Sequence, residues 1–524
     1  MTDAPWWKRG VVYQIYPRSF QDSNGDGIGD LPGIARRLDH LVRLGVDAVW
    51  LSPIFPSPMA DFGYDVADYT GIEPMFGTLE EFDRLLAAVH DRGLKLLLDF
   101  VPNHSSDRHP WFVESRSSRD NPKRDWYVWR DPAPDGGPPN NWTSDFGGSS
   151  WEWDEATGQY YLHAFLKEQP DLNWRNPKLR AAMLDVLRFW FDRGVDGFRI
   201  DVLWHIVKAE GLPDNPVNPA WGPHLGERDK VFQVHSTDQP EAHAIAAEFR
   251  ALADDYGART GRERVLIGEI FLPFDRLARW YGTPERPQVH LPFNFALIEN
   301  RWDAAVLRQV IAEYEASLPP WGWPNWVIGS HDARRIAARR GEAQARVAAM
   351  LLLTLRGTPT VYQGDELGIG KVTIPPDRIR DPRELREPGR GLNRDPSRTP
   401  MPWDDSPQAG FTIAAETWLP LNDDWPTRNV AAQERDPASV LHLYRALLAL
   451  RRARPALALG DVMLVDAAEG VLAYERTLGG ERLGVALNFT AEPKPLPFRG
   501  EVLLSTLGGA ADELRGNEGV VIQL

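Results

Sequence analysis

Short apolar runs recur along most of the chain and alternate with segments whose apolar residues are spaced as in helices. Largely apolar runs of this length are typical of buried parallel strands. The segments Leu79 to Arg92 and Leu179 to Arg193 show helical spacing, and each leads into an Arg-Gly stop. Strand alternating with helix predicts a parallel α/β fold. The predicted strands are Val11 to Tyr16, Val46 to Leu51, Leu94 to Phe100, Val195 to Ile200, Val265 to Ile267, Trp326 to Ile328 and Thr358 to Tyr362.

Two stretches and the C-terminal part interrupt this alternation. Between Phe100 and Gln169 the chain is rich in Pro, Gly, Asn and Trp, which predicts a subdomain inserted after the third strand. A second irregular stretch, Ile369 to Trp403, predicts a long loop near the last strand, and long loops in compact domains are often functional. After a predicted helix at Val440 to Arg452, short alternating segments predict antiparallel strands. These segments are Val462 to Val465, Val471 to Tyr474 and Leu483 to Leu487.

Composition limits the possible functions. A chain of 524 residues is long enough for a large barrel and one or two smaller domains. A net charge of -15 argues against nucleic acid as a partner. The absence of cysteine excludes disulfides, thiolate catalysis and cysteine-ligated metals. The first ten residues lack the apolar run of a signal peptide or membrane helix, so we expect a cytoplasmic protein with no membrane partner.

Acidic residues follow three of the predicted strands directly. Asp99, Asp201 and Glu269 close their strands, and His331-Asp332 follows another. An isolated aspartate in such a place often only caps the next helix. In a parallel barrel, however, the carboxyl ends of all strands meet at one face, so these acids would converge. A pair of such acids, one protonated and one ionised, is what glycoside hydrolysis requires.

In these strand-end acids and the motifs around them, the chain resembles glycoside hydrolase family 13, the α-amylase family, in its oligo-1,6-glucosidase and α-glucosidase branch. The resemblance implies a (β/α)8 TIM barrel at 1-102 and 172-452, an inserted loop-rich subdomain at 103-171 and a C-terminal antiparallel β domain at 453-524. The motifs that carry it are Asp99-Phe100-Val101-Pro102-Asn103-His104, Gln169-Pro170-Asp171-Leu172-Asn173, Gly197-Phe198-Arg199-Ile200-Asp201, Gly268-Glu269 and His331-Asp332.

The resemblance also implies an activity and residue roles. It implies a retaining, exo-acting α-glucosidase that releases glucose from short oligosaccharides and disaccharides with α-1,4 or α-1,6 links. Asp201 would be the nucleophile, Glu269 the general acid/base and Asp332 the carboxylate that holds the sugar hydroxyls. Arg398 would pair with Asp61 or the sugar and close the pocket. The remaining implied sugar contacts are Tyr64, His104, Arg199 and His331, with Phe165 and Gln169 as pocket walls.

Ser330 and Val202 are two positions at which members of this family differ. Ser330 stands where the family motif usually has asparagine before His331, and we expect this to alter positioning without loss of activity. Val202, directly after the nucleophile, resembles relatives that accept α-1,6 links, although valine also suits any strand end.

A metal loop is the second implication of the resemblance. Oxygen-bearing residues alternate with glycines between Asp22 and Asp30, as in the first part of a calcium loop, but the glutamate of an EF-hand is absent. The family would use them for a structural calcium or magnesium, with no organic cofactor; a metal-free turn is the alternative. The implied ligands are the side chains of Asp22, Asn24, Asp26 and Asp30 and the carbonyl of Ile28.

Two other functions stay open from the sequence. A glucosyl-transferring enzyme or isomerase, of the trehalose synthase or sucrose isomerase type, would share every residue named above. A non-catalytic transporter subunit would require a membrane helix and often lacks a catalytic acid, so we disfavour it. We expect a small sugar substrate and a monomer or small homo-oligomer.

Overall fold

Eight parallel strands close into a barrel, which confirms the predicted (β/α)8 fold. The structure is a computed structural model that describes residues 4–222, 224–509 and 513–524. Each barrel strand pairs with its neighbours in parallel register, and the last strand pairs with the first. In chain order the strands are β1 (Val12–Ile15), β2 (Ala48–Leu51), β3 (Lys95–Phe100), β4 (Trp129–Arg130), β5 (Trp151–Asp154), β6 (Gln159–Leu162), β7 (Gly197–Ile200), β8 (Val265–Gly268), β9 (Leu291–Asn294), β10 (Asn325–Val327), β11 (Thr358–Tyr362), β12 (Asp461–Val465), β13 (Val471–Leu478), β14 (Glu481–Asn488), β15 (Glu501–Ser505) and β16 (Gly519–Gln523). Around the barrel they run β1-β2-β3-β7-β8-β9-β10-β11.

Helices cover the outside of the barrel. In the parts of the chain that the structure describes, no helix is long and apolar enough to cross a membrane. The α-helices are α1 (Trp6–Arg9), α2 (Leu31–Leu44), α3 (Leu79–Asp91), α4 (Pro110–Ser117), α5 (Pro177–Arg193), α6 (Pro240–Thr260), α7 (Phe274–Leu277), α8 (Ala296–Glu299), α9 (Ala304–Ser317), α10 (Ile336–Thr354), α11 (Pro382–Arg386), α12 (Val430–Arg435), α13 (Val440–Ala453) and α14 (Pro455–Leu459).

Local sequence signals set the ends of the long helices. Thr78 accepts the backbone N–H of Glu81, and the Glu81 carboxylate accepts that of Thr78, so a capping box begins α3. At the end of α5, Gly194 has φ 103°, a left-handed conformation that glycine adopts at little cost. The Arg-Gly stop predicted there is therefore confirmed.

The barrel strands alternate between two apolar layers. Their inward side chains form a compact interior cluster with Val12, Trp50, Leu97 and Ile267 among its members. Side chains between them, such as Tyr13, face the helices and join the large outer core. The alternation follows from the two-residue period of a strand, and it makes the barrel a packed core with its open face at the strand ends.

One barrel strand was missed by the sequence analysis. β9 contains Pro292, which cannot donate to a ladder, and proline in a strand usually argues against a central position. Its pairing is correspondingly short: Leu291 lies opposite Ile267, and Phe293 lies opposite Asn325. The chain tolerates Pro292 because β9 makes only two register pairs with each of its short neighbours, β8 and β10, and so needs few ladder bonds.

Two smaller sheets lie outside the barrel. β4, β6 and β5 form an antiparallel sheet within the Trp-rich segment, and β12 to β16 form a five-stranded antiparallel sheet near the C-terminus. Both lie where irregular and alternating patterns interrupt the βα repeat. The boundaries 103-171 and 453-524 themselves stay a prediction.

Two buried arginines join the end of the barrel to the C-terminal sheet. Arg451 of α13 donates to the carbonyl oxygens of Leu353 and Leu457. Arg476 of β13 donates to the carbonyl oxygens of Leu457 and Gly460, and also contacts that of Thr354. Both guanidinium groups are almost fully buried, and burial lowers their pKa, to about 10 for Arg451 and about 9 for Arg476. They therefore satisfy main-chain carbonyls that helix and strand ends leave open.

Candidate active site

A cavity of about 1200 Å³ opens at the carboxyl ends of the barrel strands. Most of the residues predicted to form the site line it: Asp61, Tyr64, His104, Phe165, Gln169, Asp201, Val202, Glu269, Ser330 and Asp332. Arg199, His331 and Arg398 lie behind this lining and contact it. The sequence motifs, which are far apart in the chain, are thus brought to one place.

Arg199 joins three carboxylates at the floor of the cavity. Its Nη1 lies 2.9 Å from Asp99 Oδ1 and 2.5 Å from Asp201 Oδ1. Its Nη2 lies 2.8 Å from Glu269 Oε2. The strand register explains the arrangement, since Asp99 pairs directly with Arg199 between β3 and β7, and residues two apart share a face. One positive charge therefore serves three buried acids.

Because one positive charge serves three acids, the pKa values of these acids are shifted from their ordinary values. Burial raises the pKa of Asp201 well above its ordinary value; Arg199 opposes the rise, while Glu269 and Asp99 add to it. Burial likewise raises the pKa of Glu269 against the opposing charge of Arg199, and it raises the pKa of Asp99 to about 7. The cluster therefore retains protons at neutral pH that isolated carboxyls would lose.

Asp332 has the opposite electrostatic environment. Burial alone would raise its pKa, but His331 and the guanidinium groups of Arg394 and Arg398 outweigh it and hold the pKa well below the ordinary range. Arg398 Nη2 lies 2.8 Å and Arg394 Nη1 3.2 Å from Asp332 Oδ1. Asp332 is consequently a permanent anion, and its side chain keeps 37% of its surface exposed toward the cavity.

His331 is held between two parallel tyrosine rings. The ring of Tyr64 stacks on it at 5.4 Å and that of Tyr16 at 5.8 Å. Its Nδ1 lies 2.8 Å from Gln14 Nε2, and its Nε2 lies 3.0 Å from Asp332 Oδ2. Burial lowers the pKa of His331 to about 3, so the imidazole is neutral at physiological pH. A neutral ring that accepts from Gln14 at Nδ1 presents an N–H at Nε2.

His104 is the second neutral imidazole of the site. Gln169 Nε2 lies 3.1 Å from its Nε2, and Asn103 Nδ2 lies 3.1 Å from its Nδ1. The Phe165 ring packs against it at 5.0 Å. Burial lowers the pKa of His104 to about 3. Phe165 and Gln169 both line the cavity.

Arg398 was predicted to pair with Asp61 or the sugar, and the structure places another arginine against Asp61. Arg398 does not contact Asp61; it is fully buried and binds Asp332 and the carbonyl oxygen of His331. Arg394 takes that place, with Nη2 2.9 Å from Asp61 Oδ1 and 2.7 Å from Asp381 Oδ1. The two arginines lie four residues apart in one irregular loop, and only the path of that loop decides which reaches the cavity.

Val202 has an unusual backbone conformation. Its φ of 36° and ψ of 46° are left-handed, which is strained for a β-branched residue. The conformation directs the Val202 backbone N–H to Glu269 Oε2, at 2.9 Å. The residue after the predicted nucleophile thus orients the predicted acid.

Ser330 lines the cavity, and its hydroxyl accepts the backbone N–H of Asp332 at 3.2 Å. A serine therefore caps the turn that carries His331 and Asp332.

Aromatic residues that the sequence analysis missed line the far side of the cavity, beside Glu269. Phe271 and Phe295 stack at 3.8 Å, and Phe271 is 39% exposed. On the wall formed by the Trp-rich segment, Asp145 forms an ion pair with Arg228. No sequence motif marked these residues, although Phe271 lies two residues after Glu269.

The predicted metal loop has its acids turned toward backbone N–H groups. Asp22 Oδ1 accepts from Asn24 and Gly25, each at 2.8 Å, and Asp30 Oδ1 accepts from Gly33, which caps α2. Within the residues that the structure describes, no group of three or more acidic, histidine or cysteine side chains is arranged to hold a metal. A structural cation at this loop stays a prediction.

Comparison with known proteins agrees with this barrel. The family model for the alpha amylase catalytic domain matches residues 14–460. A probable alpha-glucosidase of Rhizobium meliloti (strain 1021) is 43% identical over 95% of this chain and 92% of its own length. An oligo-1,6-glucosidase of Parageobacillus thermoglucosidasius is 40% identical over 93% of this chain and 90% of its own length. The crystal structure of XgtA, an alpha-glucosyl transfer enzyme, is 42% identical, with a TM-score of 0.93 over 99% of this chain and all of that chain.

The chain therefore belongs to the alpha-amylase family. Within that class it is a glycoside hydrolase, as the strand-end acids predicted.

Proposed function

We propose that the protein is a retaining, exo-acting α-glucosidase that cleaves α-1,4 or α-1,6 bonds of disaccharides and short oligosaccharides and releases glucose. The observation that carries the proposal is the single arginine shared by Asp99, Asp201 and Glu269 at the floor of the cavity. Exo action is supported by Arg394, which ties Asp61 to Asp381 and closes one end of the pocket.

In the first step the proton of the coupled acids lies on Glu269, and Arg199 stabilises the ionised Asp201, which attacks the anomeric carbon while Glu269 protonates the leaving oxygen. Arg199 contacts Asp201 through Oδ1, which leaves Oδ2 to attack. Both donors to Glu269, Arg199 Nη2 and the Val202 N–H, meet Oε2, so Oε1 is the oxygen that holds the proton. The anomeric C–O bond breaks, and a glucosyl ester on Asp201 forms.

In the second step, Glu269 acts as the base. Its carboxylate takes a proton from water, the water oxygen attacks the anomeric carbon, and the ester bond to Asp201 breaks. The raised pKa of Glu269 suits both roles, since the group must give up and regain a proton near neutral pH.

Asp332, His331 and His104 bind the glucose in this scheme. The anionic Asp332 accepts sugar hydroxyls. The neutral imidazoles, whose Nε2 atoms face Asp332 and the Tyr64 carbonyl oxygen, contact the sugar without adding positive charge. Hydrogen bonds of this kind strengthen as the sugar distorts toward the oxocarbenium-like transition state.

The test combines two variants with detection of the product anomer. We expect Asp201→Asn to remain folded and to lose at least about 10³-fold in kcat with p-nitrophenyl α-glucoside. Glu269→Gln should keep its first step only with leaving groups that need no proton. Wild-type enzyme on maltose and isomaltose should release the α-anomer first. An initial β-anomer, or substantial turnover by Asp201→Asn, would overturn the mechanism.

A second candidate function is glucosyl transfer to another sugar. The stacked Phe271 and Phe295 beside Glu269 favour it, because an apolar wall suits the C–H face of an acceptor sugar better than it suits water. XgtA, whose fold is similar, is an alpha-glucosyl transfer enzyme. The ratio of glucose to transfer products from sucrose and maltose distinguishes the two functions.

Three expectations stay predictions. They are a structural calcium or magnesium at the loop of Asp22, Asn24, Asp26, Ile28 and Asp30, a cytoplasmic location, and a monomer or small homo-oligomer. The cation takes no part in the proposed reaction steps.

A further inference from the structure

A second cavity lies beside the irregular loop that follows β11. Its volume is about 430 Å³, within the roughly 300 to 1,000 Å³ of small-molecule sites in proteins. Among the described residues, none that lines it also lines the catalytic cavity. It is therefore a separate space, and the mechanism above uses none of its side chains.

One aromatic ring faces a set of polar side chains in this second cavity. Trp425 is partly buried, and within the described parts of the chain no ring stacks on it and no acceptor meets its indole N–H. Asn422 is only 2% exposed, and its Oδ1 has no hydrogen-bond partner, while its Nδ2 donates to Asp424 at 2.7 Å. The other polar lining residues include Arg378, Gln408, Glu416 and Asp423.

The charges of the lining restrict the ligand. Arg378 lies 3.4 Å from Glu416, and Asp423 adds a second negative charge, which disfavours a phosphate or carboxylate ligand. The described residues also hold no cluster of acids arranged for a metal. A neutral polyhydroxyl molecule fits both constraints: its C–H face covers the indole, and its hydroxyls bond the amides and ionised groups.

Backbone strain places one of these amides. Gln408 and Ala409 both have left-handed φ values, 54° and 58°, which cost free energy in non-glycine residues. The Gln408 Nε2 donates to the carbonyl oxygen of Ala415 at 2.7 Å, so the side chain is held in one orientation. Strain of this kind persists where the surrounding structure fixes it, and it is enriched at ligand sites.

We propose that this second cavity is a non-catalytic binding site for one pyranose ring of a neutral glucose oligosaccharide. Trp425 stacks on the ring, and Gln408 and Asn422 bind its hydroxyls. The site goes beyond the proposed hydrolysis and does not depend on it, since a chain inactive at Asp201 keeps every residue involved.

The experiment is titration calorimetry of full-length Asp201→Asn with maltotriose. Two classes of site are expected. Adding Trp425→Ala should weaken one class at least about tenfold and leave the other unchanged, whereas adding Arg394→Ala should weaken only the other. Trp321→Ala is the matched control, because Trp321 is 42% exposed and lies outside both cavities.

A second substitution covers failure of Trp425→Ala to fold. Gln408→Asn keeps a residue that tolerates the left-handed conformation but withdraws the amide by one carbon. It should weaken the same class of site several-fold. The proposal would be overturned by a one-site isotherm in Asp201→Asn whose single class responds to Arg394→Ala and not to Trp425→Ala. A two-site isotherm that neither Trp425→Ala nor Gln408→Asn alters would overturn it as well. If Asp201→Asn instead shows only the class of site that Trp425→Ala weakens, the missing class is the one at Arg394. That result would count against the proposed catalytic site.

Discussion

Arg394 and Arg398 show how two similar residues of one loop acquire different tasks. Arg398 is buried behind Asp332, while Arg394 reaches the cavity and bridges Asp61, Asp332 and Asp381. Both are arginines in a Pro- and Asp-rich stretch without helical or strand period, so no pattern in the sequence separates them. The acids, by contrast, were predictable, because each ends an apolar strand and parallel strands share an edge.

We predict that Arg394→Ala lowers kcat/KM for maltose by roughly a hundredfold. Truncating one partner of a buried charge pair in a binding site costs about 3 kcal/mol of binding free energy, which corresponds to that factor. Steady-state kinetics measures the change. The kcat/KM of Arg394→Lys should lie between those of wild type and Arg394→Ala, since lysine keeps the charge but not the bidentate geometry of arginine.

The matched control is Arg380→Ala, which removes an exposed arginine of the same loop. It should leave kcat/KM within about twofold of wild type, as for most surface substitutions. An Arg394→Ala enzyme within threefold of wild type would contradict the role given to the Asp61 end of the pocket.

At the scale of elements, the strand ends carry the catalytic acids, and the turns that follow them orient those acids. Seven of the eight barrel strands follow from apolar runs, because a buried strand leaves a continuous apolar signature. β9 does not, since Pro292 and Asn294 interrupt that signature and pairing with two neighbours compensates. Tertiary context of this kind cannot be read from a window of sequence.

The turn after β7 gives a prediction of its own. At Val202 the left-handed φ reverses the usual ranking of small residues, so Val202→Gly should be more stable than Val202→Ala by about 1 kcal/mol. Chemical denaturation of the two variants measures the difference. At Val207, which is buried and outside the left-handed residues, alanine should be the more stable of the pair. The same ranking at both positions would show that the turn is unstrained.

At the scale of the whole molecule, a buried acid makes stability depend on pH. Both carboxylate oxygens of Asp365 are buried without a hydrogen-bond partner, and Arg335 Nη1 is 4.0 Å away. Burial raises the pKa of Asp365 to about 7. The unfolded chain ionises this group near pH 4 and the folded chain only near pH 7, so its contribution to stability is present below pH 4 and lost as pH rises to 7.

We therefore predict that Asp365→Asn gains stability relative to wild type as pH rises from 4 to 8. The gain is ~4 kcal/mol at most, from about three units of pKa difference at 1.36 kcal/mol each. Thermal unfolding across this pH range tests it, with the exposed Asp405→Asn as control. A difference in melting temperature that stays flat with pH would contradict the burial of an ionisable group at this position.

Arg451 and Arg476 determine what a truncation of the C-terminal sheet would remove from the barrel. Both guanidinium groups donate to the same acceptor, the carbonyl oxygen of Leu457. A fragment that stops after α13 would retain every acid of the catalytic cavity, yet the carbonyl group of Thr354, at the end of α10, would lose its contact with Arg476. The C-terminal sheet thus supplies hydrogen bonds that the barrel needs at this end, and the barrel is not complete without it.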